Sequence, residues 1–123
     1  MKKNKISKNW LKKQKRDPFI KASKLQGFRS RSAFKLIEMN KKFKFIKKDS
    51  NFLDLGSSPG GWSQVAQREI TNGRILAVDI KFMDKIENVD FIEGDFQSEK
   101  INKKIKDYFN NKVTVVVSDM AAN

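Results

Sequence analysis

This chain predicts an α/β fold, doubly wound on a mostly parallel sheet. Three observations carry that expectation. Short apolar runs of strand length alternate with amphipathic runs of helix length. A glycine-rich turn, "DLGSSPGGW" at 54–62, follows the first strand directly. Acids stand at the carboxyl ends of four successive strands: Asp54, Asp79, Asp95 and Asp119.

The elements follow in chain order. Residues 1–16 read as a basic flexible arm and residues 17–123 as one domain, with Pro18 and Gly27 as breaks between them and the first helix. "SAFKLIEMNKKFKF" is a helix whose buried side is Phe34, Leu36, Ile37, Met39 and Phe43, with Lys35, Glu38 and Lys42 on another stripe. "NFLDL" is a strand. "GWSQVAQREI" is an amphipathic helix with Trp62, Val65, Ala66 and Ile70 on one face, ended by "TNG". "RILAVDI" and "NVDFIEGDF" hold the second and third strands. "SEKINKKIKDYFNN" is a helix burying Ile101, Ile105, Tyr108 and Phe109. "KVTVVVSD" is the fourth strand, and its valines predict cover on both faces. Four strands are roughly the first half of a doubly wound sheet, so the expected sheet is truncated after the fourth.

Composition narrows the chemistry. The 123 residues contain neither cysteine nor histidine, which excludes disulfides, thiolate sites and imidazole bases. No metal is expected. No apolar run spans a membrane and no signal-peptide pattern is present, so the expected location is the cytoplasm. The formal charge is +13, unevenly spread. Residues 1–48 hold 18 Lys and Arg against 2 Asp and Glu, whereas residues 49–123 hold 9 against 12. A lysine-rich bias contributes to solubility, but it does not account for the scarcity of acids before residue 49. A polyanion such as RNA is the expected partner of this segment.

The glycine turn excludes two common ligands. A phosphate loop ends in Gly-Lys-Ser/Thr, and no lysine follows Gly61. A dinucleotide fingerprint is G-x-G-x-x-G, and here the spacing is G-x-x-P-G-G. Asp54 would also repel a pyrophosphate. Asp79 lies 23 residues past Gly56, near the spacing at which an acid accepts ribose hydroxyls. An acidic rim suits a ligand with a ribose, amine donors and positive charge. S-adenosylmethionine has all three.

"FRSRSAFKL", "FLDLGSSPGGWSQ", "AVDI", "VDFIEGDF" and "VSDMAAN" together closely resemble the bacterial RlmE/FtsJ family. The resemblance covers about residues 10–123. It implies a Rossmann-like S-adenosylmethionine-dependent methyltransferase fold, of which this chain is the N-terminal part. The implied activity is methylation of a uridine ribose 2′-hydroxyl in 23S ribosomal RNA, on the assembled large (50S) subunit. The implied cofactor contacts are Gly60, Trp62, Asp79, Asp95 and Asp119. Lys35 and Asp119 match two members of the family's catalytic Lys-Asp-Lys-Glu tetrad, and Arg29 and Arg31 match its RNA-phosphate contacts. Ala122 stands where the family usually has proline. In the family a second lysine, well downstream, accepts the substrate proton. That lysine and the glutamate have no counterpart in this sequence, so a fragment or truncated gene product with little turnover of its own is expected. Two other readings are a non-catalytic RNA- or cofactor-binding remnant and a tRNA 2′-O-methyltransferase of the same superfamily.

Overall fold

The computed structural model describes residues 27–119. The basic arm, the rest of residues 1–26, and residues 120–123 with Ala122 lie outside the described residues. The elements are α1 (Ser32–Phe43), β1 (Phe52–Leu55), α2 (Gly61–Glu69), β2 (Ile75–Asp79), β3 (Asp90–Glu93), α3 (Glu99–Phe109) and β4 (Val115–Ser118). The four strands form one parallel sheet in the order β3-β2-β1-β4.

Strand side chains alternate between faces, and the two faces build separate cores. Phe52, Ile75, Ala77 and Val117 pack with Leu36 of α1 and with Trp62, Val65 and Ala66 of α2. Leu53, Leu76 and Val78 pack with Ile101, Ile105 and Phe109 of α3. Helices therefore cover both sides of β1 and β2, as the apolar runs predict. The helical faces drawn from periodicity are present in α2 and α3.

Two expectations are corrected. The valine strand β4 is not covered on both faces, since Val116 is 55% exposed while Val117 is buried. The reason is position. Among the described residues β4 is the sheet edge, and the α3 core reaches Leu53, Leu76 and Val78 without including β4. Phe43 is not part of the buried side of α1. The helix ends there, because Lys44 adopts a left-handed conformation (φ 50°) and donates its N–H to Asn40. Phe43 is left 66% exposed.

The connection from β2 to β3 has no helix. Residues 80–89 cross as a loop that tucks Met83, Ile86 and Val89 into the core beside α1 and α2. α3 starts at Ser98, whose hydroxyl accepts the Ile101 N–H at 3.2 Å. No helix among the described residues is long and apolar enough to cross a membrane.

Candidate active site

β2 and β3 lie to one side of β1, and β4 lies to the other. The sheet therefore changes direction between β1 and β4, which is where open α/β sheets bind ligands. Leu55 pairs with Ser118, so Asp119 emerges opposite Gly56, and Asp54 lies two residues before Gly56, paired with Val117.

The loop after β1 is held by the neighbouring strand. Gly56 and Ser57 both donate their N–H groups to Val78, at 2.8 and 3.2 Å. Ser58 donates its N–H to Asp79 Oδ2 at 2.8 Å. The Ser58–Pro59 peptide bond is cis. At Gly60 and Gly61 the bare backbone of this loop admits the chain segment leading into α1. A Cβ at Gly61 would lie 2.1 Å from Ser30 Oγ. Gly60 has φ 120°, and a Cβ there would meet Ile86 and the Arg29 guanidinium at about 3 Å.

That segment is fastened from several directions. Trp62 donates its indole N–H to the Ser32 carbonyl at 2.7 Å. Gln64 accepts the Arg29 N–H at 2.7 Å and donates to the Gly27 carbonyl at 2.9 Å. The Arg29 guanidinium donates to the carbonyls of Pro59, Asp84 and Lys85 at 3.1, 2.6 and 2.9 Å. The expected phosphate contact thus has three of its five N–H groups engaged by backbone. It joins the α1 entry, the glycine loop and the 80–89 loop.

Three adjoining spaces run along the rim. A small cavity of about 70 Å³ is lined by Ser30, Asp54, Ser57, Pro59, Trp62 and Asp119, among others. A groove of about 430 Å³ on one side is lined by Arg31, Ser32, Phe34, Lys35, Glu38 and Asp119. A second space of about 430 Å³ is lined by Arg29, Ser58, Pro59, Phe82, Met83 and Asp84. Asp119 borders both the cavity and the first groove. A cavity of about 700 Å³ near Arg74, Asp90 and Tyr108 lies at the opposite, amino-terminal end of the strands.

Asp54 is 1% exposed and accepts the Ser63 hydroxyl at 2.7 Å. Burial pushes its carboxyl up to about 7. The Ser63 hydrogen bond opposes that rise, and the charges of Asp119 and Asp79 add to it. Asp54 is therefore a buried acid beneath the loop, not an open member of the rim. Ser57 Oγ, buried in the same cavity wall, has no hydrogen-bond partner among the described residues.

The remaining sequence-predicted residues are spread along the rim. Asp79 accepts the N–H of Ser58 with one oxygen and that of Lys81 with the other. Its carbonyl accepts the Gly94 N–H at 2.9 Å, which sets Asp95 at the neighbouring strand end. Asp95 accepts the Gln97 N–H at 2.9 Å and is exposed. Gly60 does not line the small cavity, although Pro59 and Gly61 do. The geometry thus brings Trp62 and Asp119 together, and Lys35, Arg31 and Asp119 together. Asp79 joins them through the glycine loop, and Asp95 stands furthest away. The sequence reading gave no site role to Ser57, Ser63 or Glu38. Glu38 shares the stripe of Lys35, and Ser63 stands out as a small polar residue on the buried face of an amphipathic helix, whereas Ser57 left no signal. Among the described residues, no group of three or more Asp or Glu could hold a metal ion.

Parallel sheet, glycine loop and acid-lined switch point define a Rossmann-like α/β protein. The FtsJ-like methyltransferase family matches residues 28–123, and the chain belongs to that family. It is 52% identical over its whole length to a protein of Pelagibacter ubique named ribosomal RNA large subunit methyltransferase E, covering 61% of it. It is 44% identical to the protein of that name from Pseudomonas fluorescens strain Pf0-1, again over the whole chain and covering 60% of that relative. The chain thus spans about three fifths of the length of these curated relatives. A crystal structure of a ribosomal RNA methyltransferase from Plasmodium falciparum superposes with a TM-score of 0.70 at 36% identity, covering 78% of this chain and 58% of that one. A methyltransferase family uses a methyl donor.

Proposed function

We propose that the chain carries the donor-binding part of an S-adenosylmethionine-dependent methyltransferase acting on a ribose 2′-hydroxyl of large-subunit ribosomal RNA. One observation carries the reading: Asp119 borders both the cavity under the glycine loop and the groove that holds Lys35. A donor on one side and a ribose on the other would meet at that carboxylate. The names of the relatives supply the RNA class. The basic sequence before residue 49 supports it physically.

The residues present fit the donor. The orphaned Ser57 hydroxyl in the cavity wall supports a polar ligand there. Asp79 and Asp95 offer carboxylates for a ribose and an amino group, while Gly60 and Trp62 shape the loop beside them. S-adenosylmethionine supplies an electrophilic methyl group on a sulfonium. Asp119 then places negative charge where that cation belongs. Lys35 lines the same groove and would offer N–H donors to the ribose hydroxyl. Arg31, in the same groove, suits a flanking phosphate. On this reading residues 17–123 belong to one domain, preceded by a basic arm at 1–16, in a cytoplasmic protein that visits the large ribosomal subunit.

Two measurements test this. Calorimetry should show S-adenosylmethionine binding that Asp79→Ala weakens by about 1.5–3 kcal/mol, the loss of a charge-assisted hydrogen bond. Unchanged affinity in the variant would refute the ribose assignment. Tritiated methyl transfer should favour undermethylated large subunits over bulk tRNA. The reverse preference would move the substrate to tRNA, and donor binding without transfer to either would leave a binding module.

A further inference from the structure

Phe43 is the last residue of α1 and is 66% exposed. A lone exposed phenylalanine needs no explanation, but this one is not alone. With Met39, Lys41 and Lys42 it lines a groove of about 520 Å³. Glu38 borders both that groove and the one holding Lys35 and Asp119, so the two adjoin at this residue. The Lys42 ammonium lies 5.3 Å from the Phe43 ring centre. Lys41, Lys42, Lys44, Lys47 and Lys48 are all exposed, and no acid occurs between Glu38 and Asp49.

We propose that Phe43 is a stacking platform for an unpaired RNA base flanking the nucleotide whose ribose enters the Lys35–Asp119 groove. The proposal rests on the functional reading above and adds a subsite to it. An exposed ring among lysines fits single-stranded nucleic acid, whose bases offer flat faces and whose phosphates answer the charge. A paired A-form helix hides those faces, so an unpaired segment is the required partner. Charge complementarity favours RNA over the chain's own N-terminal segment: residues 1–26 hold ten Lys and Arg against one acid and would be repelled by these lysines.

The test is fluorescence anisotropy with a short labelled oligouridylate and a labelled RNA duplex, at two salt concentrations. Phe43→Ala should weaken single-strand binding about 5- to 150-fold, the usual range for one stacked base. Its salt slope should stay unchanged, its duplex binding should be little affected, and Phe43→Tyr should restore affinity. Phe43→Trp should add an indole that is solvent-exposed in the free protein and quenched by oligouridylate. Wild-type affinity in Phe43→Ala overturns the proposal, as does an equal loss on duplex and single strand. An added indole already buried before RNA is present also overturns it, since the arm or a second copy would then cover the ring. Calorimetry with S-adenosylmethionine on the same variants separates the two readings. Intact donor binding with Phe43-independent RNA affinity removes only the subsite. Absent donor binding with Phe43-dependent affinity removes only the methyltransferase reading.

Discussion

Asp54 sits under the glycine loop with a carboxyl pushed up to about 7, against 3.8 for the ordinary group. The unfolded chain therefore releases this proton well before the native one does. Between about pH 4 and pH 7 the native state binds more protons, so stability falls as pH rises through that window. At about 1.4 kcal/mol per unit the full effect is roughly 3–5 kcal/mol. Asp54→Asn keeps an oxygen for the Ser63 hydroxyl and removes the titration. Urea unfolding at about pH 5 and about pH 8 should show the wild type losing stability relative to this variant, and parallel curves would refute the assignment. Arg29 makes a second residue-scale prediction. Its guanidinium holds three carbonyls, so Arg29→Ala should weaken donor binding by about 1–3 kcal/mol through the loosened loop. Arg29→Lys should not rescue it, because an ammonium lacks the planar fork. Arg31→Ala should instead lower the salt slope of RNA binding by about 1 while leaving the donor's affinity alone. Swapped phenotypes would return Arg29 to phosphate binding. Asp79 and Asp119 were legible because a strand end fixes where its last side chain goes. The role of Arg29 was not, because its three acceptors come from loops whose path depends on the assembled core.

Elements were read well where burial follows a single period. Trp62, Val65, Ala66 and Ile70 are buried along α2 as their spacing predicts. Periodicity failed at ends and edges. Phe43 continues the apolar stripe of α1, yet the backbone turns left-handed one residue later. The valines of β4 have the composition of a central strand, but the strand lies at the edge. Sequence composition reports what a face could bury, whereas neighbours decide what it does bury. The start of α3 is clearer, since Ser98 caps it with a side-chain oxygen. Ser98→Ala should cost about 1 kcal/mol and lower the melting temperature by a few degrees. A melting curve identical to that of the wild type would show that tertiary packing alone fixes this end.

At the scale of the whole molecule, charge and chemistry are divided along the chain. The net positive charge lies before residue 49, where 18 Lys and Arg face 2 acids, and the acidic strand ends follow it. Helix α1 lies at the junction, with Lys35 and Asp119 lining one groove. Deleting residues 1–16 removes eight Lys and Arg. RNA affinity should fall and its dependence on salt should flatten, while donor binding measured by calorimetry stays the same. An unchanged salt slope would make the arm a bystander.

The sheet order also sets a sequence of events during synthesis. The ribosome emits domains from the N-terminus at about 5–20 residues per second. β1 finds β2 after only the twenty or so residues that separate them, but its other edge stays bare until β4 appears some sixty residues later. The early β1–β2 pair is local and quick to form, whereas the β1–β4 contact closes a long loop. Asp119 arrives with β4. The nascent protein thus has its glycine loop and basic helix before the carboxylate that borders both the cavity and the groove, and that carboxylate takes its place only when β1 gains its second neighbour.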